Sequence, residues 1–382
     1  MNFLLIASFP DSVVNFRGAL IDEILEKGNK VSVALPNIDK SDLVYKLLEE
    51  KKVNVFKIPL KRKSINPFFD LYLLINIFFL IKRIKPDYVL SYTIKPVIFG
   101  SIAARLAGIK NIYCLITGLG FFFTDKLNFF NKLVRLILIR LYSLALKFSK
   151  NVIFQNPDDQ KLFLDLGIIS SNSCSSIVNG SGVDILKFTP KDFPVKINFL
   201  LISRLLKNKG IREFAKAARE VKKIFPDATF TIGGWFDEGN DNISIAELNS
   251  WTDNNVIEYI GQVDDVSSAI SKCSIFVLPS YREGTPRTIL EAMAMGRPII
   301  TSNTAGCKET VKHGENGFLV EVKSTDKLIE AMIYFINNPN SISSMGMRSR
   351  EIAEKKFDVK KVNKAMLDIM GINKLLLNES NK

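Results

Sequence analysis

Residues 279–300 read PSYREGTPRTILEAMAMGRPII, and the rest of the chain is best read outward from them. The run Ile275–Pro279 that leads into them is short and apolar, as a strand buried on both faces should be. Gly284 and Pro286 interrupt it, and from Thr288 to Met295 the apolar residues recur at helical spacing. Strand, loop and helix followed by a further strand over Pro298–Ser302 make a βαβ unit. Glu283 falls just past the first strand and Glu291 on the helix. Between them lies a helix start, whose first N–H groups, around Arg287, Thr288 and Ile289, lack partners within the helix and whose dipole favours an anion. A diphosphate fits there, with one carboxylate accepting hydrogen bonds from a sugar and the other from a ribose. The same letters also fit a plain strand, loop and helix in which Glu283 caps and Glu291 is solvated.

The alternation recurs along the chain. Ahead of this stretch come strand Ile197–Ser203, helix Ile211–Phe225, strands Thr229–Gly233 and Val256–Tyr259, and helix Val266–Lys272. The first half repeats the scheme with strand Phe3–Ser8, a helix from about Asn15 to Lys27, strands Lys30–Leu35 and Val53–Ile58, helix Pro67–Ile84, strand Tyr88–Ser91, helix Val97–Ala107 and strand Ile112–Ile116. This predicts an α/β chain of two Rossmann-like domains whose parallel sheets face an interdomain cleft. The run Asn179-Gly180-Ser181-Gly182, then Pro190 and Pro194, places the boundary between Asn179 and Phe193. The expected division is 1–185 for an N-terminal domain and 186–370 for a C-terminal one, with 371–382 a loose tail. Binding groups gather at the carboxyl ends of parallel strands, so the loops opening at Ser8, Ser91, Thr117, Ser203, Gly233 and Ser280 hold the candidates.

Composition narrows the partners. With 52 Lys and Arg against 39 Asp and Glu, the chain carries a net charge of +13, which attracts nucleic acid, anionic lipid headgroups or a phosphorylated substrate. The four cysteines stand far apart without a CxxC spacing, which suggests neither a zinc site nor a disulfide framework and fits a reducing cytoplasm. The N-terminus meets Pro10 and Asp11 soon after its apolar run and reads as a core strand rather than a secretory leader. The apolar stretch Phe68–Ile81 is broken by Asp70 and Asn76 and is shorter than the roughly 20 residues that span a bilayer. No Asp-x-Asp motif is present to hold a metal on a diphosphate.

The Glu, seven residues, Glu pattern of residues 283–291 resembles the donor signature of the retaining family-four glycosyltransferases of GT-B fold, with Gly284-Thr285-Pro286 where the family has Gly-Phe-Pro. A second motif of that family, a strand followed by Ser-Arg-Leu and then Lys-Gly, is similar to Ser203-Arg204-Leu205-Leu206-Lys207-Asn208-Lys209-Gly210. The resemblance implies that Glu283 touches the transferred sugar, Glu291 binds ribose, and the backbone between them holds the diphosphate. It also implies that Arg204 and Lys209 neutralise charge on the departing nucleoside diphosphate. Taken alone, that pair reads more readily as exposed surface charge, and it is the matching spacing to the strand end that reverses this. Thr285 in place of phenylalanine alters the packing around the sugar subsite, so the resemblance specifies reaction class better than donor. Glu309, in Ala-Gly-Cys-Lys-Glu-Thr, resembles the glutamate of the family's Gly-Gly-x-x-Glu and ranks below the others. Many relatives place a histidine near the reacting sugar, whereas the comparable strand end here is Thr117-Gly118-Leu119-Gly120 and the single histidine, His313, lies in a turn motif. A retaining transfer without a histidine base is implied, in which the leaving phosphate oxygen takes the acceptor's proton on the same face. No cofactor and no metal are expected, and the donor is a nucleotide-sugar, UDP by analogy with a bacterial subgroup that adds N-acetylgalactosamine or a related hexosamine to undecaprenyl-diphosphate-linked sugars.

In the first half, Arg17 near a helix start is placed to face an acceptor phosphate, although it reads equally as a surface arginine. Tyr92-Thr93-Ile94-Lys95-Pro96 and Thr117-Gly118-Leu119-Gly120 lie at predicted strand ends and resemble loops of that bacterial subgroup, which implies that Lys95, Thr117 and Gly118 bind the acceptor. The stretch from Phe121 to Lys150 combines a long apolar surface with Lys132, Arg135, Arg140, Lys147 and Lys150, which fall within roughly 140° of a helical wheel. With Lys61-Arg62-Lys63 and Lys82-Arg83 it suits an anionic membrane surface on the inner face of the cytoplasmic membrane, near a lipid-linked saccharide acceptor. The alternative is a helix covering the sheet with a solvated basic side. Two rival functions stay open. A UDP-sugar 2-epimerase of the same architecture needs acid and base groups that this chain poorly supplies. A nucleic-acid-binding protein needs a basic stripe with stacking aromatics, and the aromatics here sit mainly in apolar helices, so no nucleic acid partner is expected.

Overall fold

The computed structural model describes residues 1–62, 64–119, 123, 129–237 and 241–373. It divides into two compact units, Met1–Ser181 together with the chain from Val362 onward, and Gly182–Lys361.

The first unit contains β1 (Asn2–Ile6), α1 (Pro10–Glu26), β2 (Lys30–Leu35), α2 (Leu43–Glu50), β3 (Asn54–Lys57), α3 (Pro67–Ile84), β4 (Tyr88–Tyr92), a π-helical turn (Pro96–Gly100) running into α4 (Ser101–Leu106), β5 (Asn111–Ile116), α5 (Phe129–Leu146), β6 (Asn151–Phe154), α6 (Pro157–Asp165) and β7 (Ser175–Ile177). Its sheet has the order β3-β2-β1-β4-β5-β6-β7, and every pairing is parallel. One face is covered by Val13, Leu20, Ile21 and Ile24 of α1 and Leu48 of α2. The other face receives Leu73, Ile77 and Ile81 of α3 and Tyr142, Ala145 and Leu146 of α5. Burial on both faces is why these strands read as unbroken apolar runs.

Helix α3 takes the expected bounds because its ends are written locally. Asn66 accepts from the Phe68 N–H at 3.0 Å, Pro67 opens the helix, and Lys82 and Arg83 lie in the last turn. By contrast, α1 begins at Pro10, five residues before its expected start at Asn15, because a proline at the first helical position removes only an N–H that had no partner there. Helix α5 ends at Leu146, so Lys147 and Lys150 fall beyond it and the expected basic arc is shorter. Lys63, Gly120, Phe121, Phe122 and residues 124–128 of the expected basic and apolar segments lie outside the described residues.

The second unit contains β8 (Asn198–Ile202), a 3-10 turn (Lys207–Lys209), α7 (Ile211–Ile224), β9 (Thr229–Gly233), α8 (Ile245–Asp253), β10 (Glu258–Tyr259), α9 (Val266–Ser271), β11 (Ile275–Leu278), α10 (Arg287–Ala294), β12 (Ile299–Ser302), β13 (Gly317–Val320), α11 (Thr325–Asn337) and α12 (Asn340–Ile352). Its parallel sheet has the order β10-β9-β8-β11-β12-β13.

The domain bounds differ from expectation at the C-terminus. The second unit stops at Lys361 rather than at 370. The last helix, α13 (Val359–Met370), begins against the second unit, where the Val359 N–H donates to the Val183 carbonyl at 3.0 Å. It then buries Val362, Met366, Leu367 and Met370 in the first unit's core, where Tyr113 Oη donates to the Met370 carbonyl at 3.0 Å. An amphipathic pattern shows which face of a helix is buried but not which core receives it. Ile372, inside the expected tail, is buried, and residues 374–382 of that tail lie outside the described residues. Among the described residues no helix is long and apolar enough to cross a membrane.

Candidate active site

In each sheet the chain starts at a central strand and builds to both sides, so neighbouring loops diverge at β1/β4 and at β8/β11. Such a switch point leaves a crevice at the carboxyl ends of the two strands. In the second unit the loop after β8 carries Arg204 and Lys209, and the loop after β11 carries Glu283. Two glycines set their approach. Gly210, at φ +72°, faces the Pro279 carbonyl where no Cβ fits, and the Tyr281 N–H donates to the Asn208 carbonyl at 2.9 Å. Gly306, at φ +76°, lies as closely against the carbonyls of Glu283 and Gly284, while the Glu283 N–H donates to the Ala305 carbonyl at 3.2 Å. The backbone of Glu283 is thus held by the loop after β12 and its side chain by the loop after β8.

Lys209 Nζ and Ser280 Oγ both donate to Glu283 Oε1, the serine at 2.8 Å. The lysine and glutamate side chains are only 12% and 15% exposed, which removes the solvated-charge alternative for Lys209. Arg204 Nη1 pairs with Asp237 Oδ2 at 2.5 Å. Asp237 follows β9, and its N–H donates to Asn242 Oδ1 at 3.0 Å. Glu291 is buried on α10, and Arg287 Nε donates to its Oε1 at 2.8 Å. Burial pushes the Glu291 carboxyl above the usual carboxylate value, while Arg287 and Lys187 pull it down. The alternative of a capping Glu283 and a solvated Glu291 therefore fails at both residues, because the α10 N-cap is Pro286 without a side-chain cap. One expectation needs correction: the Ile289 N–H donates to the Pro286 carbonyl at 3.2 Å and is not available to an anion in this conformation. Thr285 Oγ1 donates to the Gly284 carbonyl at 2.9 Å, and Thr288 is half-buried on the first turn. Glu309 is tied elsewhere, accepting from Lys356 Nζ at 3.3 Å.

The first unit presents a different set. Arg17 is 2% exposed, so it is not a surface arginine; its guanidinium lies 5.5 Å from the ring centroid of Tyr92. Tyr92 Oη and Ser12 Oγ lie 2.8 Å apart, and Thr93 Oγ1 donates to Ser8 Oγ at 2.7 Å. Thr93 sits at φ +68°, a strained place for a β-branched residue, at the end of β4. Lys95 Nζ pairs with Asp70 of α3 at 2.5 Å, with side chains 13% and 20% exposed. Thr117 and Gly118 follow β5, the neighbour of β4 in the sheet.

Asp237, Asp70 and Ser280 were not singled out by the sequence as site residues. The two aspartates match no motif and are located only by the folded sheet. Ser280 alone carried a signal, standing at a named strand end three residues before Glu283. His313 Nδ1 accepts from the Leu319 N–H at 3.1 Å within its turn. Among the described residues no group of three or more histidine, cysteine, aspartate or glutamate side chains comes together to hold a metal ion.

Comparison with known proteins bears on the family and the fold. The sequence model of the Glycosyl transferases group 1 family matches residues 196–338, and that of the Glycosyl transferase 4-like family matches residues 4–156. The chain is 31% identical over 336 residues to the N,N'-diacetylbacillosaminyl-diphospho-undecaprenol alpha-1,3-N-acetylgalactosaminyltransferase of Campylobacter jejuni, covering 84% of this chain and 85% of that protein. It is 31% identical over 301 residues to the UDP-Gal:alpha-D-GlcNAc-diphosphoundecaprenol alpha-1,3-galactosyltransferase of Escherichia coli, covering 74% and 75% respectively. Among solved structures, Anabaena HepE in complex with UDP and glucose superposes with a TM-score of 0.77 at 20% identity, covering 96% of this chain and 99% of that one. The sucrose-phosphate synthase of Thermosynechococcus elongatus gives 0.81 at 16% identity, covering 99% and 100%. With both units in the GT-B arrangement of strands and an extended match to curated transferases, the chain belongs to the group 1 glycosyltransferases.

Proposed function

We propose that this glycosyltransferase moves a hexosamine, N-acetylgalactosamine first among the candidates, from a UDP donor onto a saccharide carried on undecaprenyl diphosphate, with retention and without a metal. The observation that carries the reading is the Lys209–Glu283–Ser280 cluster at the β8/β11 switch point, with Arg204 on the same loop as Lys209. The printed activities of the Campylobacter and Escherichia relatives support the choice of acceptor class. In the proposed reaction the acceptor oxygen bonds to the anomeric carbon as the bond from that carbon to the phosphate oxygen breaks. The acceptor's proton passes to the departing phosphate on the same face. Lys209 and Arg204 stabilise the charge developing on that phosphate, the part of the reaction where fixed charges are worth most. Glu283 accepts hydrogen bonds from the transferred sugar and orients it. In the first unit, Lys95 with Thr117 and Gly118 faces the acceptor, and Arg17 braces the Tyr92 loop beneath them.

Association with the inner face of the cytoplasmic membrane is part of the proposal. It is supported by α3, which is apolar on both sides. Phe68, Leu71, Tyr72, Ile75 and Phe79 are all exposed, and at 100° per residue they share about 100° of the wheel, opposite the buried Leu73, Ile77 and Ile81. Helix α5 likewise exposes Phe129, Leu133, Leu136 and Ile137, with Lys132 and Arg140 beside them. Both helices pack against the Pro96–Gly100 turn, so they lie on one face of the sheet. Apolar area ringed by lysine and arginine is the chemistry of an anionic lipid interface.

The test is thermal unfolding with UDP, GDP, ADP and their sugars, with and without EDTA. A ligand that binds only the native state raises the melting temperature. Stabilisation by UDP and UDP-N-acetylgalactosamine that survives EDTA is the expected outcome. Equal silence from every nucleotide would remove the donor assignment.

A further inference from the structure

Glu291 and Arg287 form a pair that does little for the helix bearing it. Arg287 opens α10 and Glu291 follows one turn later, at i,i+4. That order sets a cation at the positive end of the helix dipole and is the less favourable direction for such a pair. The arginine also holds a carboxylate that is 6% exposed, and desolvating a charge is costly unless it is paired. Its hold is one-sided: Arg287 Nε donates to Oε1 at 2.8 Å, and none of the described residues donates to Oε2. A carboxylate fixed through one oxygen, with the other still able to accept, is suited to a ligand that brings hydroxyl donors.

We propose that Arg287 is a positioning residue for the nucleoside end of the donor, gripping Oε1 of Glu291 so that Oε2 accepts from a ribose hydroxyl. The inference rests on the donor-site reading above and adds to it a source of selectivity for ribonucleoside over deoxyribonucleoside diphosphates. It differs from a phosphate role for the same side chain, because the interaction it serves disappears when the ribose hydroxyls are removed.

The experiment is calorimetric titration of the full chain with UDP and with 2',3'-dideoxy-UDP, using the native protein and its Arg287→Met, Arg287→Lys and Glu291→Gln variants. The native protein should prefer UDP by roughly ten- to a hundredfold, the effect of one hydrogen bond to a charged group. Arg287→Met should lose most of that preference by weakening UDP while leaving dideoxy-UDP nearly unchanged, and Arg287→Lys should recover part of it. Equal weakening of both nucleotides by Arg287→Met would assign the arginine to phosphate or to the fold and overturn the proposal. An unchanged preference in that variant would overturn it too. The parent reading has its own signature. If native protein binds no UDP, or Glu291→Gln keeps the full ribose preference, the donor assignment falls and this inference with it. If Glu291→Gln loses the preference and Arg287→Met keeps it, only the positioning role falls.

Discussion

Both units build outward from a central strand, and both gather polar side chains at the resulting switch point, but the two gatherings differ in kind. At β8/β11 the cations are matched with carboxylates: Lys209 with Glu283, Arg204 with Asp237, and Arg287 with Glu291 on the helix that follows. At β1/β4 hydroxyls predominate, from Ser8, Ser12, Tyr92 and Thr93, Arg17 is laid over an aromatic ring, and one cation, Lys95 just past β4, is matched with a carboxylate, that of Asp70. A partly buried cation already facing a carboxylate can trade that partner for a phosphate at modest cost, since it is desolvated and oriented beforehand. A buried cation shut against a tyrosine ring cannot do so without opening its core. On the proposed reading, the difference separates cations able to exchange their anions, Lys95 among them, from the braced Arg17.

The comparison is broken most directly at Glu283. Glu283→Gln keeps the shape of the side chain and should lower turnover about 10²- to 10³-fold, the usual effect of removing one preorganised electrostatic contact, with the unfolding midpoint little changed. Turnover within a few-fold of native would mean that the cluster is structural. Arg17→Met tests the opposite assignment. It should cost the first unit on the order of 1 kcal/mol through the lost contact with Tyr92, measured by denaturant unfolding, while the stabilisation by UDP stays as in the native protein. A vanished UDP response would show that the buried arginine shapes the donor site. The smallest effect on chemistry belongs to α3. Replacing Phe68, Ile75 and Phe79 together with serine should reduce flotation with anionic vesicles severalfold and leave turnover on a detergent-soluble acceptor within about twofold. Flotation equal to that of the native protein, or equal on neutral vesicles, would detach α3 from the lipid.

What could be read in advance follows from how local each signal is. Asn66, Pro67 and the basic last turn delimit α3 without help from the rest of the chain. The loops proposed for the donor stood out because their glutamates and cations match a family's motifs at fixed offsets from strand ends. Asp237 and Asp70 were not legible as partners because they meet their cations across 33 and 25 residues of chain, where only the fold decides the encounter. The same limit applies to α13. Its apolar stripe announces burial, but the receiving surface, around Tyr113 and Ile153, is fixed by the sheet.

The return of α13 also bears on how the molecule is made. Residues 182–361 are an unbroken block, whereas the first unit is written in two pieces, the second of which follows that block in the chain and leaves the ribosome after it. Since domains form during synthesis as their residues emerge, the block that carries Arg204, Lys209 and Glu283 has every residue it needs while the earlier half still waits for Val362, Met366, Leu367 and Met370. For that interval the nascent chain exposes a gap in its first core, an opening that chaperones and proteases can read and that closes only once α13 has emerged.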